Sequence, residues 1–254
     1  MYIACEKRLI ALCEKGRVKM LDLSEEQKKA LMAAIDKHIQ EETKNSMAAF
    51  DKTLDVVTDK LKDIGWTLPA ELGIYAVNVI GNTEEIQDIE KFFEMYFTYN
   101  DYKHTKAMID NILDTPISDG LKKMIRECWM AFQSKLYAVC ATSLISVIEG
   151  VLSEFSTDKS DVRMMKVCQN IVDEFPSDGS SILKHVWISY NNFIRNLYQK
   201  SDFKQVEPDE INRHWLLHGR SDFKIKEIDC LRLFNAVESL CMVVKKENKE
   251  SKND

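Results

Sequence analysis

Arginine, asparagine and two histidines are crowded into one short stretch of this chain: Pro208-Asp209-Glu210-Ile211-Asn212-Arg213-His214-Trp215-Leu216-Leu217-His218-Gly219-Arg220. Pro208 with Asp209 and Glu210 suits the first turn of a helix, and Gly219 suits its C-terminal cap. The spacing therefore predicts a short helix whose buried side is Trp215, Leu216 and Leu217. Its polar groups would be costly to bury without partners. On the residues alone three uses stay open. His214 and His218, four apart, could hold a metal on one helical face, but zinc needs further ligands and no carboxylate lies between them. The polar groups could be solvated on a plain capping helix. They could also act on a phosphodiester.

For that last use the residue types are well chosen. RNA carries its own nucleophile, because its 2′-hydroxyl can attack the neighbouring phosphorus. A base and a cation beside the phosphorus then suffice, with no metal and no cofactor. His218 suits the base, since an imidazole titrates near pH 6.5. Arg213 suits the cation, as a permanently charged planar fork for phosphate oxygens. His214 would orient the phosphate or protonate the leaving oxygen. One geometric demand follows. At about 100° per residue, Arg213 and His218 stand roughly 140° apart on a straight helix. Two copies meeting about a two-fold axis would line a shared cleft and relieve this.

Arg213 and His218, separated by four residues and with polar His214 after the arginine, resemble the Arg-x4-His motif of HEPN domains. That superfamily comprises helical bundles and includes many metal-independent RNases. The string Asn212-Arg213-His214 with Leu217-His218-Gly219 resembles bacterial members of the abortive-infection and defence type. Ile148-Glu149-Gly150-Val151-Leu152 looks like their first core helix, and Gly65-Trp66-Thr67-Leu68-Pro69 like a Gly-Trp-x-x-Pro turn of their N-terminal extension. The resemblance covers roughly residues 120–246 and touches the first hundred only weakly. It implies a homodimeric endoribonuclease, toxin-like or defensive, acting on RNA without metal or cofactor. Arg213, His218 and His214 would be catalytic, with Asn212, Arg220 and Glu149 binding substrate. A toxin of this kind implies an antitoxin or regulatory partner. The alternative is a non-catalytic HEPN module that binds nucleotide or protein; a purely structural helical adaptor is the third reading.

The elements that must position these residues read as helices throughout. The 254 residues include only 8 glycines and 4 prolines, too few turn-formers for a sandwich or barrel. With 45% hydrophobic residues the chain can fill a core. Ser24 followed by Gln27 is a capping box that starts a helix through about Glu42. A further helix spans about 46–63 and ends at Gly65. Stripes at helical spacing follow: Ile86 to Phe97, Phe132 to Phe155, Val162 to Phe175, Ile182 to Leu197 and Ile228 to Val244. On the second of these, Thr142, Ser146, Glu149 and Ser153 form a polar stripe suited to close approach of another helix or to solvent. The pattern breaks around Asp114 to Gly120. The expected organisation is all-α: a helical N-terminal region over 1–118, a HEPN-like bundle over 119–246 and a disordered tail over 247–254.

Charge and composition exclude several classes. A net charge of −6 argues against a generic nucleic-acid coat, yet residues 195–226 hold seven Lys/Arg against five acids. No phosphate loop, dinucleotide-type glycine cluster, Gly-x-Ser-x-Gly or His-Glu-x-x-His occurs. The seven cysteines are odd in number and form no Cys-x-x-Cys pair, which reads as buried reduced thiols. His38, His104 and His185 are scattered and read as structural or solvated. Unbroken apolar runs are only a few residues long, so no membrane span is expected. The first residues lack a leader pattern, and the expected location is cytoplasmic.

Overall fold

The computed structural model describes residues 24–69, 72–155, 168–169 and 182–250, and among them all regular structure is helical. The chain is an all-α protein. Its described helices are α1 (Glu25–Asp63), α2 (Ile74–Asn82), α3 (Ile86–Leu113), α4 (Asp119–Gln133), α5 (Tyr137–Phe155), α6 (Ile182–Leu197), α7 (Arg213–Leu217) and α8 (Glu227–Glu250). The Val162–Phe175 stripe lies outside the described residues, Cys168 and Gln169 excepted.

Residues 1–52 and 53–254 form two compact units. In the first, the described residues belong to α1, which begins directly after Ser24. In that unit Met32 and Met47 are exposed, and Phe50 and Asp51 are half-buried. Rather than breaking after Glu42, α1 continues unbroken to Asp63; no glycine or proline interrupts it. Gly65, at φ +64°, ends it: the Trp66 amide donates to the Leu61 carbonyl at 3.1 Å.

In the second unit α8 is the hub, packed on α5, α3 and α6, while α5 also packs on α4. Leu231, Phe234, Val237 and Leu240 of α8 are buried with Leu144, Ile148, Val151 and Leu152 of α5. By length and apolarity alone Tyr137–Glu154 could cross a membrane, although its individual apolar runs are short. Burial against α4 and α8 gives a core helix that same composition. α2 and α3 belong to this unit too, so Asp114–Gly120 is a turn inside it, capped by Ser118 accepting from the Leu121 amide. α8 runs to Glu250, so 247–250 continue the helix where a disordered tail was expected, and 251–254 lie outside the described residues.

The Gly65–Pro69 turn is a buried strap. Trp66 stacks on Phe93 and Phe97 with centroids at 4.7 and 5.3 Å. A buried loop must satisfy its backbone elsewhere, and α6 and α8 supply the partners. Asn235 Nδ2 donates to the Thr67 carbonyl at 2.9 Å, and Ser239 Oγ to the Leu68 carbonyl at 3.2 Å. Ser189 Oγ accepts from the Leu68 amide at 2.9 Å. Tied in this way, the strap pins α6 against α8, and the chain leaving α6 leads to the chemistry-bearing segment.

Candidate functional site

The helix bearing Arg213 is one turn long and starts later than its proline and acids suggest. Residues 208–211 are not helical; Asn212 is the N-cap. Its Oδ1 accepts from the amides of His214 (3.0 Å) and Trp215 (3.4 Å) and from Ser201 Oγ (2.9 Å). Its Nδ2 donates to the Gln199 carbonyl at 2.9 Å. Asn212 is buried and its side chain caps α7. At the other end Gly219 stands at φ +64°. Its amide donates to Leu216 O, and the Arg220 amide reaches Trp215 O, satisfying the last carbonyls. Trp215 and Leu216 are buried and Leu217 half-buried, so α7 rests on α5 by its apolar side. His218 is the C-cap, outside the helix proper. A straight-helix angle between Arg213 and His218 therefore does not apply.

Arg213 is held by two residues distant in sequence. Its Nε donates to Glu149 Oε1 on α5 at 3.0 Å. The Tyr198 hydroxyl, just past α6, donates to that same oxygen at 2.5 Å. The guanidinium carbon lies 5.7 Å from the Tyr198 ring centroid, within cation–π range. Burial and the hydrogen bond to Glu149 push the Tyr198 phenol well above its ordinary value, so it stays a donor. Arg213 and Tyr198 therefore both bear on the one Glu149 oxygen. The result is a part-exposed guanidinium oriented through Nε. Glu149 thus orients the arginine.

The histidines face each other. Their rings are parallel within 4°, centroids 6.1 Å apart. His218 is exposed, and Phe203 lies edge-on to it at 5.9 Å and to Trp215 at 5.3 Å. The Arg220 guanidinium sits over Phe203 at 5.7 Å, which brings Arg220 near the pair through that ring. His214 is half-buried, and its proton affinity is lowered by desolvation, then by the charges of Arg213 and His218. It is therefore neutral at pH 7. We expect His214 to titrate below about 6.5, the ordinary histidine value, and to move upward in Arg213→Ala. Two-dimensional NMR of the imidazole resonances measures both; an unchanged midpoint in the variant would contradict the coupling.

Among the described residues no group of three or more His, Cys, Asp or Glu could hold a metal. Among those residues the paired histidines have no third ligand of the kind the zinc reading needs. A cavity of about 430 Å³ opens behind α7, between Phe203, Trp215 and Arg220 on one side and Glu207, Glu210 and Asp222 on the other. Lys224 also lines it, whereas Arg213, His214 and His218 do not.

Of the residues that sequence reading brought forward, Glu149 contacts Arg213, His214 faces His218, and Arg220 reaches His218 only by way of Phe203. It missed Tyr198 and Phe203. Tyr198 follows the Tyr190-Phe193-Leu197 stripe and carries no local sign of a task. Phe203 had one available signal, an aromatic within a locally basic segment. The other histidines stand apart: His104 stacks on Tyr96 at 4.1 Å, and His185 is buried with Nδ1 3.7 Å from Asp55. No family model matches this chain, and neither a curated protein nor a solved structure is significantly similar to it.

Proposed function

We propose that this chain is a metal-independent endoribonuclease of the HEPN type. The observation that supports the reading is the paired arrangement of an oriented guanidinium and an exposed imidazole: Arg213 fixed by Glu149 and Tyr198, with His218 presented on the same short segment. In this reading two phosphate oxygens take the Nη pair of Arg213, which neutralises charge developing on the phosphorane. His218 removes the 2′-hydroxyl proton. The 2′-oxygen attacks phosphorus, the bond to the 5′-oxygen breaks, and that oxygen leaves with a proton from water. The products are a 2′,3′-cyclic phosphate and a 5′-hydroxyl. His214, neutral at pH 7, is a poor proton donor and serves as a hydrogen-bonding group for the phosphate. Phe203 and Arg220 offer a face on which an unpaired base stacks beside His218.

A second copy of the chain completes the reading. Leu136 and Val139 are 55% and 57% exposed at the start of α5, and the exposed line continues through Ser146 to half-buried Glu149. A homodimer along that line would bring two Arg213–His218 segments to one cleft. The setting implied by the family resemblance is toxin activity or anti-phage defence in the cytoplasm, with an antitoxin or regulatory partner. Purified protein incubated with RNA in EDTA tests the activity. Fragments ending in a cyclic phosphate are the expected result. RNA that binds and stays intact would move the assignment to a non-catalytic HEPN module.

A further inference from the structure

A second cavity, of about 250 Å³, lies where α3, the end of α4, the start of α5 and the first residue of α8 converge; neither Arg213 nor either histidine of that segment lines it. Its walls are aromatic. Trp129 and Phe132 are nearly parallel, centroids 5.2 Å apart. Tyr102 stands across both at close to a right angle, 6.5 Å from Trp129 and 5.5 Å from Phe132. Tyr137 flanks Phe132 at 5.8 Å, tilted by 58°. Rings meeting at a corner, instead of one flat stack, offer π-faces to a single guest from more than one side.

At the same place stands a carboxylate. Glu227 Oε1 accepts from the Tyr102 hydroxyl at 2.5 Å and from Tyr137 at 3.3 Å. Both phenols are pushed upward, Tyr102 to about 12, so they remain neutral donors. Oε2 of Glu227 makes no hydrogen bond to a described residue. Of the other charges lining the cavity, Lys106 is paired with Asp101 at 2.5 Å, and Lys135 is exposed. Glu227 is the half-buried anion, so an anionic guest would be repelled while a cation would add an attraction that a neutral guest lacks. Tyr102 stands in the left-handed backbone region at φ 60°, directly after Asn100 and Asp101 at 48° and 54°, and Lys135, in the turn before α5, does so at 61°. Such positions strain residues other than glycine and gather at binding sites; the Asn100–Tyr102 turn carries the phenol that donates to Glu227.

We propose that this pocket binds an organic ammonium ion, its charge against Glu227 and its carbon-bound hydrogens against Tyr102, Trp129 and Tyr137. Calorimetric titration of the full chain with choline chloride, at matched ionic strength, tests this against the uncharged isostere 3,3-dimethylbutan-1-ol. A trimethyllysine peptide forms a third arm, and the tighter of the two cations identifies whether the source is a small molecule or a side chain. We expect saturable binding of a cation, with the alcohol at least tenfold weaker and Glu227→Gln weakening the cation at least tenfold. Equal binding of alcohol and choline by the unmodified protein, an unchanged affinity in folded Glu227→Gln, or no saturable binding of either cation would overturn the proposal. The comparison on the unmodified protein decides the matter even if the variant fails to fold.

Discussion

Replacing His218 by alanine is expected to slow RNA cleavage by about 10²–10⁴-fold, the range for loss of a positioned general base. The structure makes this a clean substitution. His218 is exposed and outside the core, and its contribution to α7 is its backbone amide, which donates to the His214 carbonyl at 3.2 Å. Alanine keeps that amide, and Gly219 still supplies the left-handed turn. The melting temperature should therefore stay close to that of the parent while cleavage falls. RNA affinity should fall far less, because Arg213 is untouched. Single-turnover rates with a gel-shift assay separate the two effects; equal cleavage by variant and parent would remove His218 from the chemistry.

Arg213→Ala should cost about 10²–10³-fold in cleavage, as expected when a group aimed at transition-state charge is lost. Here stability should suffer as well, since Glu149 and Tyr198 lose their cationic partner in a partly buried site. Arg213→Lys should not rescue, because an ammonium cannot both donate to Glu149 and offer two parallel donors to phosphate. Glu149→Gln separates holding from catalysis. Its carbonyl oxygen can still accept from Nε and from Tyr198, so activity should drop by less than in Arg213→Ala. A Glu149→Gln loss equal to the arginine loss would mean that the carboxylate charge itself acts in the reaction.

The all-α character was legible because scarce glycine and proline leave helical stripes uninterrupted, and Ile89-Phe93-Phe97 and Leu231-Phe234-Val237 are buried as their spacing requires. Helix ends without glycine were not legible. The stripe from Phe132 to Phe155 reads as one helix, yet it breaks at Ser134–Leu136. Lys135 there takes φ +61° and the Leu136 amide donates to the Ala131 carbonyl at 2.9 Å. The break rotates Leu136 and Val139 to the surface, against their place in the stripe. The turn at Asn100–Tyr102 interrupts α3 in the same unannounced way. For α7, Pro208 and its acids imitate a first turn. Asn212 wins the cap because Ser201 and Gln199 complete its hydrogen bonds, a contact that local spacing does not contain. The candidate site follows the same rule. Arg213 and His218 are recognisable by type, whereas the hold on Arg213 comes from Glu149, 64 positions away, and from Tyr198.

The central claim is that the nucleophile belongs to the RNA and the catalytic groups to the chain. The most direct measurement is cleavage, in EDTA, of an oligoribonucleotide whose single 2′-hydroxyl at the scissile nucleotide is replaced by hydrogen, alongside the unmodified strand. The account predicts that the unmodified strand is cut and the substituted one stays intact at that position while still binding. Cleavage of the deoxy-substituted strand at the same bond, or cleavage of the unmodified strand only when a divalent metal is restored, would contradict it.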